Sequence, residues 1–531
     1  MNIMLNTKTK YKILGASLLA LCLSFGSCEK FTELNPLAAL SESTAFTTPE
    51  NIELAVNGMY WQAAVGTYNG GAGRGYPFGG ASIEQSEMRG EDMINLQAFF
   101  QITYQNTYNV TSANNVNHWE QLYALINQCN VIIAGVDGAV SGGVLPAEVA
   151  NPYKGEALFL RALAHHELLI HFARPYAENP TTNMGVPYRT IAITGAAAAS
   201  EANSLERGTV AEAYTKLLAD LDEAENILPE TRSSAADRIS RATKAAAIAL
   251  KTRVKLHMAD YKGVIAEGTK LGTNGTGTFT SPIGGFKLEA DPTTPFVSFS
   301  NNAESIFSVA QSIASNGGVN GAISGMLGPS ALNGRDLVAI SPNFYNASFW
   351  LASDLRKTQL TYKQTTGDRP FVYTYKYRKY GDNDDWNPML RYAEVLLNVA
   401  EAYAYEGNNA QALRLLNAVR DRSVGAANSY GTTVPADLKR AIYNERRIEF
   451  SAEGKRWGDL HRLALSSYGE GGIPAKVLPQ QLSAAVYNGT TILTPGQAKV
   501  AYTEHVFLWP IPQSELDANP VLRAQQNPGW E

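Results

Sequence analysis

The sequence predicts a mainly α fold: a tetratricopeptide-repeat-like helical scaffold carrying long irregular loop inserts and a little β structure. Three observations predict it. Eight stretches, at 50–65, 116–136, 154–172, 210–228, 243–258, 391–405, 409–423 and 436–451, set apolar residues at i, i+3 and i+4, the period of an amphipathic helix. Between them, segments 68–117, 273–356 and 466–503 are rich in Gly, Asn and Thr and far longer than ordinary helix connections. Residues 396–419 also fit a 34-residue helical repeat at nearly every signature position.

The chain opens with Lys8, Lys10 and Lys12 ahead of a 13-residue apolar run, Ile13 to Phe25, closed by Gly26 and Ser27. A span of the bilayer core needs about 20 residues, so 1–27 reads as an export signal. Phe25-Gly26-Ser27-Cys28 resembles a bacterial lipobox, in which cleavage leaves a lipid-bearing cysteine. The expected mature body is then 28–531, a single unit anchored through lipid on Cys28. Losing three lysines and no acid leaves 41 basic against 49 acidic residues, a net charge of −8. That balance speaks against nucleic acid, whose phosphates demand basic patches. Cys22 departs with the signal and Cys28 is lipidated, so Cys129 stands alone and no intramolecular disulfide is expected. No later segment runs to 18 consecutive apolar residues, which makes the lipid the expected membrane attachment.

In the best repeat copy, Leu396, Val399, Ala400 and Tyr403 supply one helix face, Gly407 turns the chain, and Ala412, Leu416 and Val419 supply the next. Ala400 and Ala412 stand where two helices approach closely. A looser copy pairs 157–172 with 214–229, and a weaker one spans 248–271, turning at Asp260-Tyr261. Repeat bodies of this kind usually act as scaffolds. Phe371 to Tyr377 alternates apolar and polar residues and reads as a short strand.

The sharper chemical motifs mostly fail. His166 and His171 flank a zinc-protease-like segment but lie five residues apart, about 140° around a helix, where two ligands need four. The Gly70–Gly75 stretch lacks the Lys-Ser/Thr of a phosphate loop and reads as a flexible loop. No Gly-x-Ser-x-Gly elbow is present, and Cys129 sits in an apolar helix. Asp382-Asn383-Asp384-Asp385 lacks the glycine and distal Glu of a calcium loop, which favours a solvated turn. Glu445, Glu449 and Glu453 offer paired carboxylates, yet Arg446, Arg447, Lys455, Arg456 and Arg462 interleave them, and salt-bridged structure is the expectation. No catalytic residue, metal or cofactor is expected.

The C-terminal third carries a resemblance. Leu390-Arg391-Tyr392-Ala393-Glu394, Leu416-Asn417-Ala418-Val419-Arg420-Asp421-Arg422, Glu445-Arg446-Arg447-Ile448-Glu449-Phe450 and Glu453-Gly454-Lys455-Arg456-Trp457-Gly458-Asp459-Leu460 resemble the RagB/SusD family. So do the ending, Leu508-Trp509-Pro510-Ile511-Pro512 with Asn527-Pro528-Gly529-Trp530, and upstream Gly155-Glu156-Ala157 and Trp119-Glu120-Gln121. The resemblance implies a surface lipoprotein of the outer membrane that binds oligosaccharide or another nutrient. Such a protein passes its ligand to a TonB-dependent, SusC-like transporter. It also implies that loops outside the repeats form the ligand site.

A pyranose offers apolar C–H faces and a rim of hydroxyls, so aromatic platforms with Asn, Arg or Asp partners suit it. The first insert offers Tyr76, Arg89, Asp92, Phe100, Tyr104, Asn106, Tyr108 and Asn109, and the second offers Trp350. Tyr104, Tyr108 and Trp350 are the expected platforms, and Asn106 and Asn109 the hydroxyl partners. A peptide or protein ligand on the same fold is the alternative; a glycoside hydrolase is disfavoured because no isolated carboxylate pair stands out.

Overall fold

The computed structural model describes residues 44–71 and 73–530. The export signal and Cys28 lie outside the described residues. Helix accounts for 48% and strand for 7%, so the mainly α expectation holds.

All eight expected helices form: Pro49–Ala64, Ala113–Ser141, Ala147–Phe172, Val210–Ile227, Lys244–His257, Tyr392–Tyr405, Asn409–Val424 and Leu438–Glu449, with the second longer than its periodic stretch at both ends and the third starting seven residues earlier. Five of these starts follow from side-chain capping. Thr48, Thr209, Thr243, Asn408 and Asp437 each accept a first-turn backbone N–H on the side chain, and Thr209 with Glu212 closes a reciprocal capping box. Gly407 turns the best repeat copy at φ +82°, a conformation that costs a side chain energy. Ala400 and Ala412 are fully buried where those two helices meet. Helices pack in antiparallel pairs: 147–172 with 210–227 across a long insert, 244–257 with 261–270, and 392–405 with 409–424. The 438–449 helix then packs on the last pair.

The 113–141 helix is long and apolar enough to cross a membrane by composition alone. Here it is a core helix, packed along 147–172, with Asn130 donating to the carbonyls of Arg189 and Ile191 and accepting from Arg161.

The inserts are ordered and joined to one another. Four antiparallel strand pairs occur among the described residues, and each links segments distant in sequence or closes a loop. Met93–Asn95 pairs with Val338–Ile340, tying the first insert to the second in the register Met93 to Ile340. Ser305–Val309 pairs with Asn387–Arg391, the strand that leads into the 392–405 helix. The expected strand near 371–377 appears as Val372–Thr374, paired with Thr361–Lys363. One hydrophobic core fills the helical scaffold. A second, built from Tyr76, Met93, Phe100, Tyr104, Trp350, Tyr373 and Tyr487 among others, lies under the inserts.

Scaffold and inserts meet on a buried ion cluster. Arg391 contacts Glu304 at 2.5 Å, Glu449 at 2.8 Å and Glu453 at 2.7 Å. Arg356 contacts Asp354, Glu445 and Glu449 at 2.6–2.9 Å, while Arg422 reaches Glu304 and Glu449. Lys376 pairs with Glu453 and Arg420 with Glu445, completing five cations against five carboxylates. Burial alone would raise the Glu449 carboxyl; Arg422, Arg391 and Arg356 outweigh it and hold that group well below the usual carboxylate range. The sequence expectation of salt-bridged structure stands, with a difference in partners. Glu445, Glu449 and Glu453 bind cations from 356–422, while the interleaved Arg446 and Arg447 turn to Asp459 and Asp92.

Because one missing partner leaves several buried charges uncompensated, Arg391→Ala should cost about 3–5 kcal/mol in urea denaturation. Arg523→Ala, at the exposed pair with Asp517, should leave the midpoint unchanged. Equal small effects would remove the cluster from its structural role.

Candidate functional site

Where do the expected platform residues stand? Tyr104 is 1% exposed and donates its hydroxyl to the Val477 carbonyl at 2.5 Å. Tyr108 is buried against Trp509 and Trp530 and donates to the Val506 carbonyl. Trp350 is buried, 4.7 Å from the ring of Phe344, with the Lys357 ammonium 5.0 Å from its indole. Tyr76 is buried and donates to Gln85 at 2.7 Å. Arg89 is fully enclosed, 3.4 Å over the Trp457 ring, donating to the Phe507 carbonyl and to His171. Burial lowers its pKa to about 10. Asn106 is buried in a left-handed turn at φ 57°. Asn109 is exposed, and its side-chain oxygen accepts from Thr111 in a local turn.

The expectation that Tyr76, Arg89, Tyr104, Tyr108 and Trp350 offer free surfaces is therefore corrected: in this structure they pack the interior. The physical reason is size. A buried aromatic side chain removes about 200 Å² from water, worth about 5 kcal/mol at 25 cal/mol/Å². Inserts this long must supply their own core, and their aromatic residues do so.

His118, Glu167 and His171 form the one cluster of potential metal ligands among the described residues, with ligand atoms within 4.8 Å of one another. Arg89 donates to His171 Nδ1 at 3.0 Å, which places the remaining ring hydrogen on Nε2, aimed at Glu167 Oε1 3.1 Å away. A metal would need that nitrogen bare and would sit beside a fixed guanidinium. The residues fit a hydrogen-bonded Arg–His–Glu relay instead. Burial pushes the His118 pKa down to about 3 and that of His171 well below its ordinary value, so both rings are neutral. Asp385, in the acidic turn, accepts the backbone N–H groups of Arg378 and Lys379 and is thereby used in closing its own loop.

The uncommitted polar and aromatic surface lies one layer outside the buried residues. Arg74, flanked by Gly73 and Gly75, sits 4.3 Å over the Tyr68 ring and 5.0 Å over Phe99. Every arginine of the chain is described, and only Arg74 and Arg440 have guanidinium groups with neither a hydrogen bond nor an ion pair. The rings beside Arg74 are half-buried and backed from within: Tyr68 stacks at 6.4 Å on Tyr76, and Phe99 meets Phe100 edge-on at 4.7 Å. The Tyr68 hydroxyl is also unengaged among the described residues.

The backbone that presents these groups is fixed. Arg74 and Gly75 both donate N–H to the Val65 carbonyl, at the end of the 49–64 helix. Asn117 holds Asn69 through two hydrogen bonds, Gln121 accepts from the Thr67 N–H, and Asn114 donates to the Phe99 carbonyl. Gly75 takes φ +71°, and a Cβ there would lie 2.5 Å from the Gly321 carbonyl oxygen, so the second insert locks against the first at this point. A guanidinium held between two aromatic faces, with all its N–H groups free, can donate to paired hydroxyls or to a carboxylate while an apolar face stacks alongside.

Sequence reasoning missed Tyr68, Arg74 and Phe99 because it read Gly70–Gly75 as a flexible loop. The available signal was Arg74 itself, a lone cation set among glycines with no acid close in sequence.

A helical scaffold with a loop-built aromatic and polar face defines a binding protein, and comparison with known proteins gives its family. A model of the SusD family matches residues 293–530, and a second, described as starch-binding associating with outer membrane, matches residues 55–256. The chain is thus similar to the SusD family in both its halves. SusD-like protein P2 of Formosa agariphila is 25% identical over 508 residues, covering 86% of this chain and 91% of that protein. A SusD superfamily protein from Bacteroides fragilis superposes with a TM-score of 0.72 at 27% identity, over 90% of this chain and 99% of that one. A laminarin-binding SusD-like protein shares the fold at a TM-score of 0.67 and 22% identity, over 91% of this chain and 100% of its own.

Tyr104 now tests the division between interior and face. Tyr104→Ala should cost about 3–5 kcal/mol of stability, and Tyr104→Phe about 1 kcal/mol for the lost hydrogen bond to Val477, both by chemical denaturation. Full stability in Tyr104→Ala would place the residue outside the core.

Proposed function

We propose that the protein is a cell-surface lipoprotein that captures oligosaccharide or polysaccharide and passes it to a TonB-dependent, SusC-like transporter. The observation that carries this reading is Arg74, unpaired and held between the solvent-facing rings of Tyr68 and Phe99. Pyranose C–H faces stack on such rings, and a free guanidinium donates to neighbouring hydroxyls. Similarity to the SusD family supports the reading, as do the outer-membrane description of one matching family model and the laminarin-binding neighbour. The lipobox-like run to Cys28 supports an anchor in the outer membrane, with the protein on the cell surface.

The face is open and its platforms are few. At about 0.5–1.5 kcal/mol per stacked ring beyond burial, a single saccharide binds weakly. Contact along a polymer, and many copies on one cell, raise the apparent affinity without new contacts.

Native electrophoresis of the detergent-solubilised full chain, through gels containing starch, laminarin, xylan or polygalacturonate, tests this. Retardation in one gel, without release of reducing ends, is expected. Arg74→Ala should weaken that retardation about tenfold or more, since hydrogen bonds from a charged donor contribute about 1.5–3 kcal/mol, and should leave the melting temperature unchanged. Retardation by none of them favours a peptide or protein ligand. Release of reducing ends contradicts a purely binding role.

A further inference from the structure

We infer that a second saccharide subsite, selective for neutral pyranose units, lies in the groove between Trp61 and Trp386. Of the seven tryptophans, Trp119, Trp350, Trp457 and Trp509 are buried. Trp61 is 43% exposed, Trp386 and Trp530 are partly so, and the first two line the same groove of about 380 Å³. Its walls are the outer side of the 49–64 helix, the short helix Ala235–Ser240, the end of strand Ser305–Val309 and residues 310–315.

Trp61 has no packing reason to be where it is. The 49–64 helix buries Ile52, Val56, Met59, Ala63 and Ala64, and Trp61 stands off that stripe. Contiguous apolar surface rimmed by polar groups marks a binding site, and here Tyr60, Trp61 and Trp386 line one groove together. The Trp386 indole is held in place by Nε1 donating to the Gln311 carbonyl at 3.0 Å and by Phe299 at 5.8 Å. Two indoles thus flank a preformed slot.

The polar lining specifies the ligand. Gln311 is 7% exposed and lines the groove; its amide nitrogen donates to the Ala64 carbonyl, but its side-chain oxygen accepts nothing. A buried acceptor without a partner carries a desolvation cost that a ligand hydroxyl relieves. Asn57, Ser240, Ser312 and Ser315 add hydroxyl-compatible groups at the rim. Arg241, the cation of the groove, is already bound by Glu156 and Glu53. Asp237 is then the uncompensated charge, so an acidic sugar meets repulsion here while a neutral one does not. This distinguishes the groove from the face around Arg74, where the free charge is positive.

The inference rests on the glycan-binding reading, and one experiment separates the two. Calorimetry of the full chain in detergent, titrated with maltotriose and laminaritriose, should give two sites per chain for one of them. Trp61→Ala, at a half-exposed position, should reduce the count to one and weaken binding of the parent polymer about fivefold, the loss of one stacking platform. Trp61→Phe should restore part of it. A single site untouched by Trp61→Ala overturns the subsite and leaves glycan binding standing. Binding of neither trisaccharide by the unaltered protein, with no polymer retarded, overturns both. Association of the unaltered chain with itself, abolished by Trp61→Ala without change in saccharide binding, assigns the groove to protein contact and also overturns the subsite.

Discussion

Everything on the ligand face depends on the buried cluster of five cations and five carboxylates. Its members come from residue 304, from 354–356 and 376 in and after the second insert, from strand residue 391, and from the 409–424 and 438–449 helices with Glu453 just beyond. Charges taken out of water are costly unless every one is matched. A chain that places one of these segments wrongly leaves a carboxylate or guanidinium bare. The cluster therefore couples the position of the inserts to the position of the repeats. It also explains why the carboxylates at 445, 449 and 453 do not form an acid–base pair: each is less than 5% exposed and engaged by at least one cation.

The aromatic residues divide into two layers with different work. The inner layer, with Tyr76, Phe100, Tyr104 and Trp350, fills a core that makes the inserts rigid. In the outer layer, Tyr68 and Phe99 pack on that core beside Arg74, while Trp61 and Trp386 flank a groove along the scaffold core. Rigidity matters for weak ligands, because a platform ordered before binding spends no further entropy on capture. The segment 310–321 connects the two parts, bordering the Trp61 groove at 310–315 and packing on Arg74 and Gly75 at Gly321.

The helices were legible because their apolar period, polar caps and turning glycine all agree. Ala400, Gly407 and Ala412 fall in the structure where the repeat pattern requires them. The inserts were not legible in the same way. They have no period, so nothing local distinguishes the buried Tyr104 from the half-exposed Tyr68, and residue type alone favoured the wrong layer. The glutamates at 445, 449 and 453 show a related limit: their charge predicted ion pairs, but partners from 356, 391 and 422 are set by the tertiary fold. Trp61 went unread, although a tryptophan off the buried stripe of an amphipathic helix has no core to enter.

The most direct test of the account is hydrogen–deuterium exchange of the full chain with and without a polysaccharide that it retains. The account predicts slower exchange on binding in 66–75, 99–105 and 310–321, with the 392–424 helices unchanged. Protection confined to the helical repeats, with the insert face unaltered, would contradict it.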